Sequence, residues 1–77
     1  MEINLLAFGQ IAYITGKSDW KMSVIENTDA LIKYLEVEFP ELSKINFSIA
    51  VNKKVIQENT MLHQNDTIAL LPPFSGG

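Results

Sequence analysis

Four stretches of the chain carry the hydrophobic patterns of β-strands. EINLLAF is apolar at nearly every position after Asn4, which is typical of a central strand covered on both faces. WKMSVI alternates, with Trp20, Met22 and Val24 on one face, and so predicts a half-exposed strand. FSIAVN alternates too, whereas TIALL is apolar enough to be buried. We expect strands at 2–8, 20–25, 47–52 and 67–71, with a shorter piece of strand after Lys53-Lys54.

The segment between the second and third strands has the period of a helix instead. Asn27 or Thr28 can cap its first amides, and Pro40 prevents its continuation. Apolar residues four positions apart form one stripe along it. That stripe consists of Leu31, Leu35 and Phe39, with Ile32 alongside. We therefore predict one main helix of about three turns, at about 28–39.

The order strand, strand, helix, strand, short strand, strand predicts an α+β fold. One helix can cover only one face of a small sheet, and the two most apolar strands, the first and the last, should lie side by side at its centre. This is the β-grasp, or ubiquitin-like, roll, with a mixed sheet of four to five strands. We expect residues 1–71 to form this domain and residues 72–77 to form a flexible C-terminal tail.

Composition narrows the range of functions. The 77 residues carry a net charge of −3, and Lys53-Lys54 is the largest basic cluster, so we expect no nucleic-acid partner. No apolar run approaches the ~20 residues that span a bilayer, and Glu2 stands where a signal peptide would be basic, so a cytoplasmic protein without a membrane partner is expected. The sequence has no cysteine, hence no thiol nucleophile.

Few side chains could form an active site. His63, the only histidine, lies in a polar turn and is expected to be exposed to solvent. Glu36, Glu38 and Glu41 look like a solvated helix end rather than a metal site. Lys53-Lys54 is most simply a charged turn, although it could steer an acidic partner. We expect no metal, no intrinsically bound cofactor and no active site of the chain's own.

The last six residues, PPFSGG, are the strongest candidate for a functional segment. Two glycines without Cβ atoms can pass through a narrow channel, while Pro72 and Pro73 hold the base of the segment extended. Phe74 can anchor it in a partner. A free carboxylate at Gly77 is a poor electrophile, so an enzyme would first have to convert it to an acyl-adenylate with ATP. A sulfur nucleophile supplied by another protein could then displace AMP.

These residues resemble a known family. NDTIALLPPFSGG looks like the C-terminal signature of the small subunit of molybdopterin synthase, the MoaD-like sulfur carriers of the ubiquitin-like β-grasp group. INLLAFGQIAYITG is similar to that family's first strand and loop, and FSIAVNKKVI to its alanine-valine-asparagine segment. The resemblance covers essentially the whole chain. One departure is Ala12, where family members often have arginine, which puts an inherited contact with the activating enzyme in doubt.

The resemblance implies a non-catalytic sulfur-donor subunit. An E1-like adenylating enzyme would activate Gly77 with ATP, and a sulfurtransferase would convert it to a thiocarboxylate. The large synthase subunit would receive the tail, with Gly76 and Gly77 in its pocket, and use the sulfur to build molybdopterin from cyclic pyranopterin monophosphate. Phe74 and Phe8 would contribute to docking. The complex would be a heterotetramer, and Pro72, Pro73 and Ser75 complete the partner-binding tail.

Three alternatives share parts of this interpretation. A sister sulfur carrier for thiamine synthesis or tRNA thiolation would differ only in the acceptor. A ubiquitin-like modifier would join Gly77 to a lysine amine and give stable conjugates. A plain interaction domain would have an inert tail, so that deleting Gly76 and Gly77 would leave its activity intact.

Overall fold

The first and last strands of the chain lie side by side at the centre of the sheet. The computed structural model describes residues 1–23 and 25–73, and in this part the sheet has five strands in the order β2-β1-β5-β3-β4. The strands are β1 (Glu2–Ala7), β2 (Asp19–Ser23), β3 (Ser48–Val51), β4 (Lys54–Ile56) and β5 (Thr67–Leu71). Only the β1–β5 pair is parallel among the four pairings. The predicted α+β β-grasp fold is confirmed.

The main helix begins and ends close to the predicted residues. Helix α2 (Thr28–Glu38) is capped by Asn27, whose Oδ1 accepts a hydrogen bond from the Ala30 amide at 2.9 Å. A second asparagine, Asn59, comes from the connection before β5 and accepts from the Asp29 amide at 3.0 Å. Two of the amides that have no partner within the helix are therefore satisfied, one locally and one by a distant residue. A short 3₁₀ helix (Pro40–Lys44) follows.

The connection after β1 contains more helix than the sequence predicts. It forms α1 (Gly9–Thr15), which ends at Gly16 in the left-handed region with φ 72°. Ala12 is therefore half-buried in a helix that packs against the core, and not in a loop.

The hydrophobic core lies on one face of the sheet only. The core face of the two central strands packs against side chains of both α-helices and the 3₁₀ helix, including Ile11, Leu31, Leu35 and Leu42. The prediction that β1 is covered on both faces is wrong. Its residues alternate between buried and half-buried, and Leu6 lies on the face without helices. The physical reason is that the helices form a single layer, which can cover only one side of the sheet.

Most other predicted patterns agree with the structure. Trp20 and Met22 of β2 are half-buried while Lys21 and Ser23 are exposed, as the alternation predicts. The third residue of that apolar face, Val24, lies outside the described residues. Strand β5 ends at Leu71, the last residue of the predicted strand.

Candidate functional site

The face of the sheet opposite the helices carries an apolar groove. We call it the open face and define it by six apolar residues that line it: Leu6, Phe8, Ala50, Val55, Ala69 and Leu71. Phe8 and Val55 retain 47% and 53% exposure, which is high for side chains of this kind. No described helix or loop covers this face of the sheet. It therefore offers an apolar contact surface in the described part of the chain.

The strand registers explain the shape of the groove. Leu6 pairs with Ala69, Ala69 with Ala50, and Ala50 with Val55, so these four residues form one row across four strands. Residues paired across strands project from the same face of a sheet. The row therefore has a large side chain at each end and two alanines in the middle. The two alanines, one on β5 and one on β3, form a floor between two apolar walls.

One end of the groove meets the base of the predicted tail. Leu71 is the last residue of β5, and Phe8 follows β1 on the neighbouring strand, with its amide donating to the Leu70 carbonyl at 3.3 Å. Pro72 comes next and is half-buried against Gly9, where an added Cβ would lie 3.3 Å from the Pro72 Cγ. A peptide leaving β5 therefore starts beside the open face.

The structure brings together part of the predicted site. Phe8 and Pro72 lie at the same end of the groove, and Pro73 follows them, exposed to solvent. The other predicted tail residues, Phe74, Ser75, Gly76 and Gly77, lie outside the described residues. The contribution of the strands themselves to the site was not predicted. The available signal was the set of apolar residues at alternate positions opposite the core face, such as Ala69 and Leu71.

The opposite end of the groove is closed by a network of polar contacts. Asn52 Nδ2 donates to Asp66 Oδ1 at 2.9 Å, and Asn52 Oδ1 accepts from the Thr67 amide at 2.9 Å. The His63 amide donates to Asp66 Oδ2 at 2.8 Å. Hydrogen bonds from the Asn52 side chain and then from the His63 amide lower the pKa of Asp66 below its ordinary value of 3.8, against a smaller opposing effect of burial. This network ties the β3–β4 turn to the start of β5.

The surroundings of the other candidate side chains, His63 and Trp20, are explained by a structural role. The His63 side chain is 79% exposed, with Nδ1 3.8 Å from Asp66 Oδ2, so it lies in an exposed turn as predicted. Trp20 is half-buried against the core, and Lys17 Nζ lies 5.7 Å from the centre of its ring. Within residues 1–23 and 25–73, no three His, Asp or Glu side chains come together as a metal site would require.

A helix that crosses a membrane must be both long and apolar. In the described part of the chain, no helix has both the length and the apolar character that crossing a bilayer requires.

A family model for the ThiS family matches residues 5–77, which is nearly the whole chain. The chain belongs to the ThiS family of β-grasp sulfur carriers. A relative of this ThiS-family chain is the molybdopterin synthase sulfur carrier subunit of Arabidopsis thaliana. The two are 28% identical over 81 residues, which span 100% of this chain and 84% of that protein.

Solved structures similar to this ThiS-family chain include two kinds of protein. One is the complex of subunits 1 and 2 of the molybdopterin-converting factor from Helicobacter pylori 26695. It matches with a TM-score of 0.74 and 28% identity over 100% of both chains. The other is the small archaeal modifier protein SAMP1 of Haloferax volcanii, with a TM-score of 0.82 and 19% identity, also over 100% of both chains. The second likeness concerns the fold alone.

Proposed function

We propose that this chain is the sulfur carrier subunit of a molybdopterin synthase, with the carboxylate of Gly77 as the group that is loaded and discharged. One structural observation carries the proposal: the apolar groove of the open face ends beside Pro72, the residue from which the Pro-Pro-Phe-Ser-Gly-Gly segment departs. A partner seated on this face would receive the segment directly. The similarity of the whole of this chain to the Arabidopsis sulfur carrier subunit supports the same function.

The proposed chemistry takes place on the last acyl carbon. A Gly77 carboxylate oxygen attacks the α-phosphorus of ATP in an adenylating enzyme, and pyrophosphate leaves. A hydrosulfide equivalent from a sulfurtransferase then attacks the acyl carbon, and AMP leaves with that oxygen, so that a thiocarboxylate forms. The chain has no cysteine, so other proteins must supply the sulfur. ATP is used by the activating enzyme, and the carrier itself binds no cofactor.

The open face provides docking energy in this proposal. Phe8 and Val55 are each about half exposed, so covering them would contribute on the order of 1 kcal/mol each. Phe74 would add a third apolar contact from the tail. The large synthase subunit is the proposed occupant in the assembled enzyme, a heterotetramer in which two carriers bind at opposite ends of a large-subunit dimer. The complex of the two Helicobacter pylori subunits supports such a pairing.

A second candidate function is that of a protein modifier. The Haloferax volcanii modifier has the same fold over its full length, and that fold is compatible with either function. Gly77 would then be attacked by a lysine amine instead of by sulfur, and AMP would leave as an isopeptide bond forms. A sister carrier for thiamine synthesis or tRNA thiolation would share the thiocarboxylate and differ in the protein that receives it.

Intact-mass analysis combined with reconstitution tests the proposal. The chain is purified from its native cytoplasm, and the mass of its C-terminal peptide is measured. We expect one oxygen replaced by sulfur, and we expect the loaded protein to form molybdopterin when it is mixed with the large subunit and cyclic pyranopterin monophosphate. A variant lacking Gly76 and Gly77 is the matched control, because its folded domain is intact.

Each alternative gives a different result in the same experiment. Stable conjugates of higher mass on lysine side chains would favour a modifier. A thiocarboxylate without molybdopterin formation would favour a sister carrier. Full activity of the variant without Gly76 and Gly77 would contradict every function that uses the tail.

A further inference from the structure

The turn between β3 and β4 holds a lysine in a conformation that favours glycine. Asn52 and Lys53 both have positive φ values, 50° and 74°, as the two central residues of a type I′ hairpin turn do. Asn52 suits the first position, and its side chain is held by Asp66 and Thr67. Glycine is the preferred residue at the second position, and any Cβ there is strained. The backbone alone therefore gives no reason for Lys53.

Lys53 lies at the rim of the open face, and its neighbour Lys54 does not. Lys53 lines the apolar groove together with Val55 and Thr67. Lys54 pairs with Val51, which packs against the core on the helix side of the sheet, so Lys54 projects from that side. The two adjacent lysines have the same charge and are both exposed, but only Lys53 borders the proposed docking surface.

The charge of Lys53 has no partner among residues 1–23 and 25–73. The one ion pair within 4.0 Å there joins His63 and Asp66. A cation at the edge of an apolar surface is exposed to water while the surface is free. When a partner covers the surface, water is displaced and an opposite charge on that partner interacts more strongly with the cation.

From these observations we infer that Lys53 is a specificity-determining contact for a protein partner that covers the open face and presents a carboxylate at the β3–β4 turn. The lysine at this strained position then serves the partner contact and not the turn. The partner fits by placing apolar side chains against the floor of Ala50 and Ala69 while its Asp or Glu pairs with Lys53. The inference rests on the proposed function, since the partner is the large synthase subunit.

Titration of the purified large subunit from the same organism tests this contact. Its dissociation constant is measured for the wild-type chain and for Lys53→Gln, Lys53→Gly, Lys53→Glu and Lys54→Gln, at about 0.05 M and about 0.3 M salt. We expect the Gln and Gly variants of Lys53 to bind about three- to tenfold more weakly at low salt, and the Glu variant more weakly still. The differences should shrink at high salt, and Lys54→Gln should change affinity by less than about twofold.

Thermal unfolding separates binding from stability. Lys53→Gly should raise the Tm, because it relieves the positive φ, and yet bind more weakly. The contact would be overturned if Lys53→Gln bound the large subunit as tightly as the wild type, or if Lys54→Gln lost as much affinity as Lys53→Gln. Either result would leave the proposed function intact. If the wild-type chain self-associates and Lys53→Gln makes it monomeric, the occupant of the open face would be a second copy of this chain and not an acidic partner. Failure of the wild type to bind the large subunit would overturn both proposals.

Discussion

Replacing Asn52 by alanine should destabilise the fold strongly for a residue in an exposed turn. The side chain makes two hydrogen bonds of 2.9 Å, one to the charged Asp66 and one from the Thr67 amide. A bond to a charged group contributes about 1.5 to 3 kcal/mol and a neutral one about 1 kcal/mol, before any discount for solvent. The φ of 50° adds about 1 kcal/mol when the residue becomes alanine. Because both bonds are solvent-exposed, we expect a net loss of about 2 to 3 kcal/mol in the free energy of unfolding.

This loss should be easy to measure in a small domain. A chain of 77 residues is expected to have a free energy of unfolding of about 4 to 12 kcal/mol, and each kcal/mol shifts the Tm by about 4 to 8 °C. Urea and thermal unfolding can be followed by circular dichroism. The matched control is Asn52→Gly, which removes the same hydrogen bonds without the strain at positive φ. It should be less destabilising than alanine by about 1 kcal/mol.

The effect of Asn52→Ala should also depend on pH. The pKa of Asp66 is lowered in the folded state, so its contribution to stability is complete above the ordinary value of 3.8 and is lost as the pH falls through the folded pKa. The wild-type chain should therefore lose more stability than Asn52→Ala between about pH 5 and about pH 2. A loss below about 0.5 kcal/mol at neutral pH, or the same loss at both ends of this range, would refute the reasoning.

Two further predictions test the core and the base of the tail. Leu35 is 1% exposed beneath the sheet, so Leu35→Ala should leave a cavity and cost about 2 to 5 kcal/mol in thermal unfolding; an unchanged Tm would mean that α2 does not pack as described. Gly9 and Gly16 both have positive φ, but only an added Cβ at Gly9 meets Pro72, at 3.3 Å. Gly9→Ala should therefore lower the Tm more than the matched control Gly16→Ala, and equal effects would argue against the contact with Pro72.

The strands and the main helix could be predicted because their signals are local. The Thr67–Leu71 strand was predicted with the observed bounds, and α2 within one residue, since periods of two and of 3.6 residues are properties of consecutive side chains. Helix α1 was harder to predict, because Gly9 within its first turn is a poor helix former and no side chain caps the helix. The central position of β1 beside β5 followed from their apolar content.

The candidate site was predicted only in part. The two prolines could be named from the sequence, because a Pro-Pro pair after an apolar strand stands out along the chain, whereas Phe8 was named from the family resemblance. Leu6 and Val55 could not be identified as the walls of one groove. They are 49 positions apart, and what joins them is the chain of pairings through Ala69 and Ala50.

The sequence by itself determined which segments are strands and helix, that no cysteine chemistry is available, and which residues follow the last strand. The tertiary structure decided which side of the sheet stays uncovered, that Lys53 borders it while Lys54 does not, and that Asn52 reaches Asp66. The physical reason is that periodicity depends on neighbours along the chain. Register and the choice of covered face depend on contacts between residues far apart in sequence, which form only when the whole domain packs.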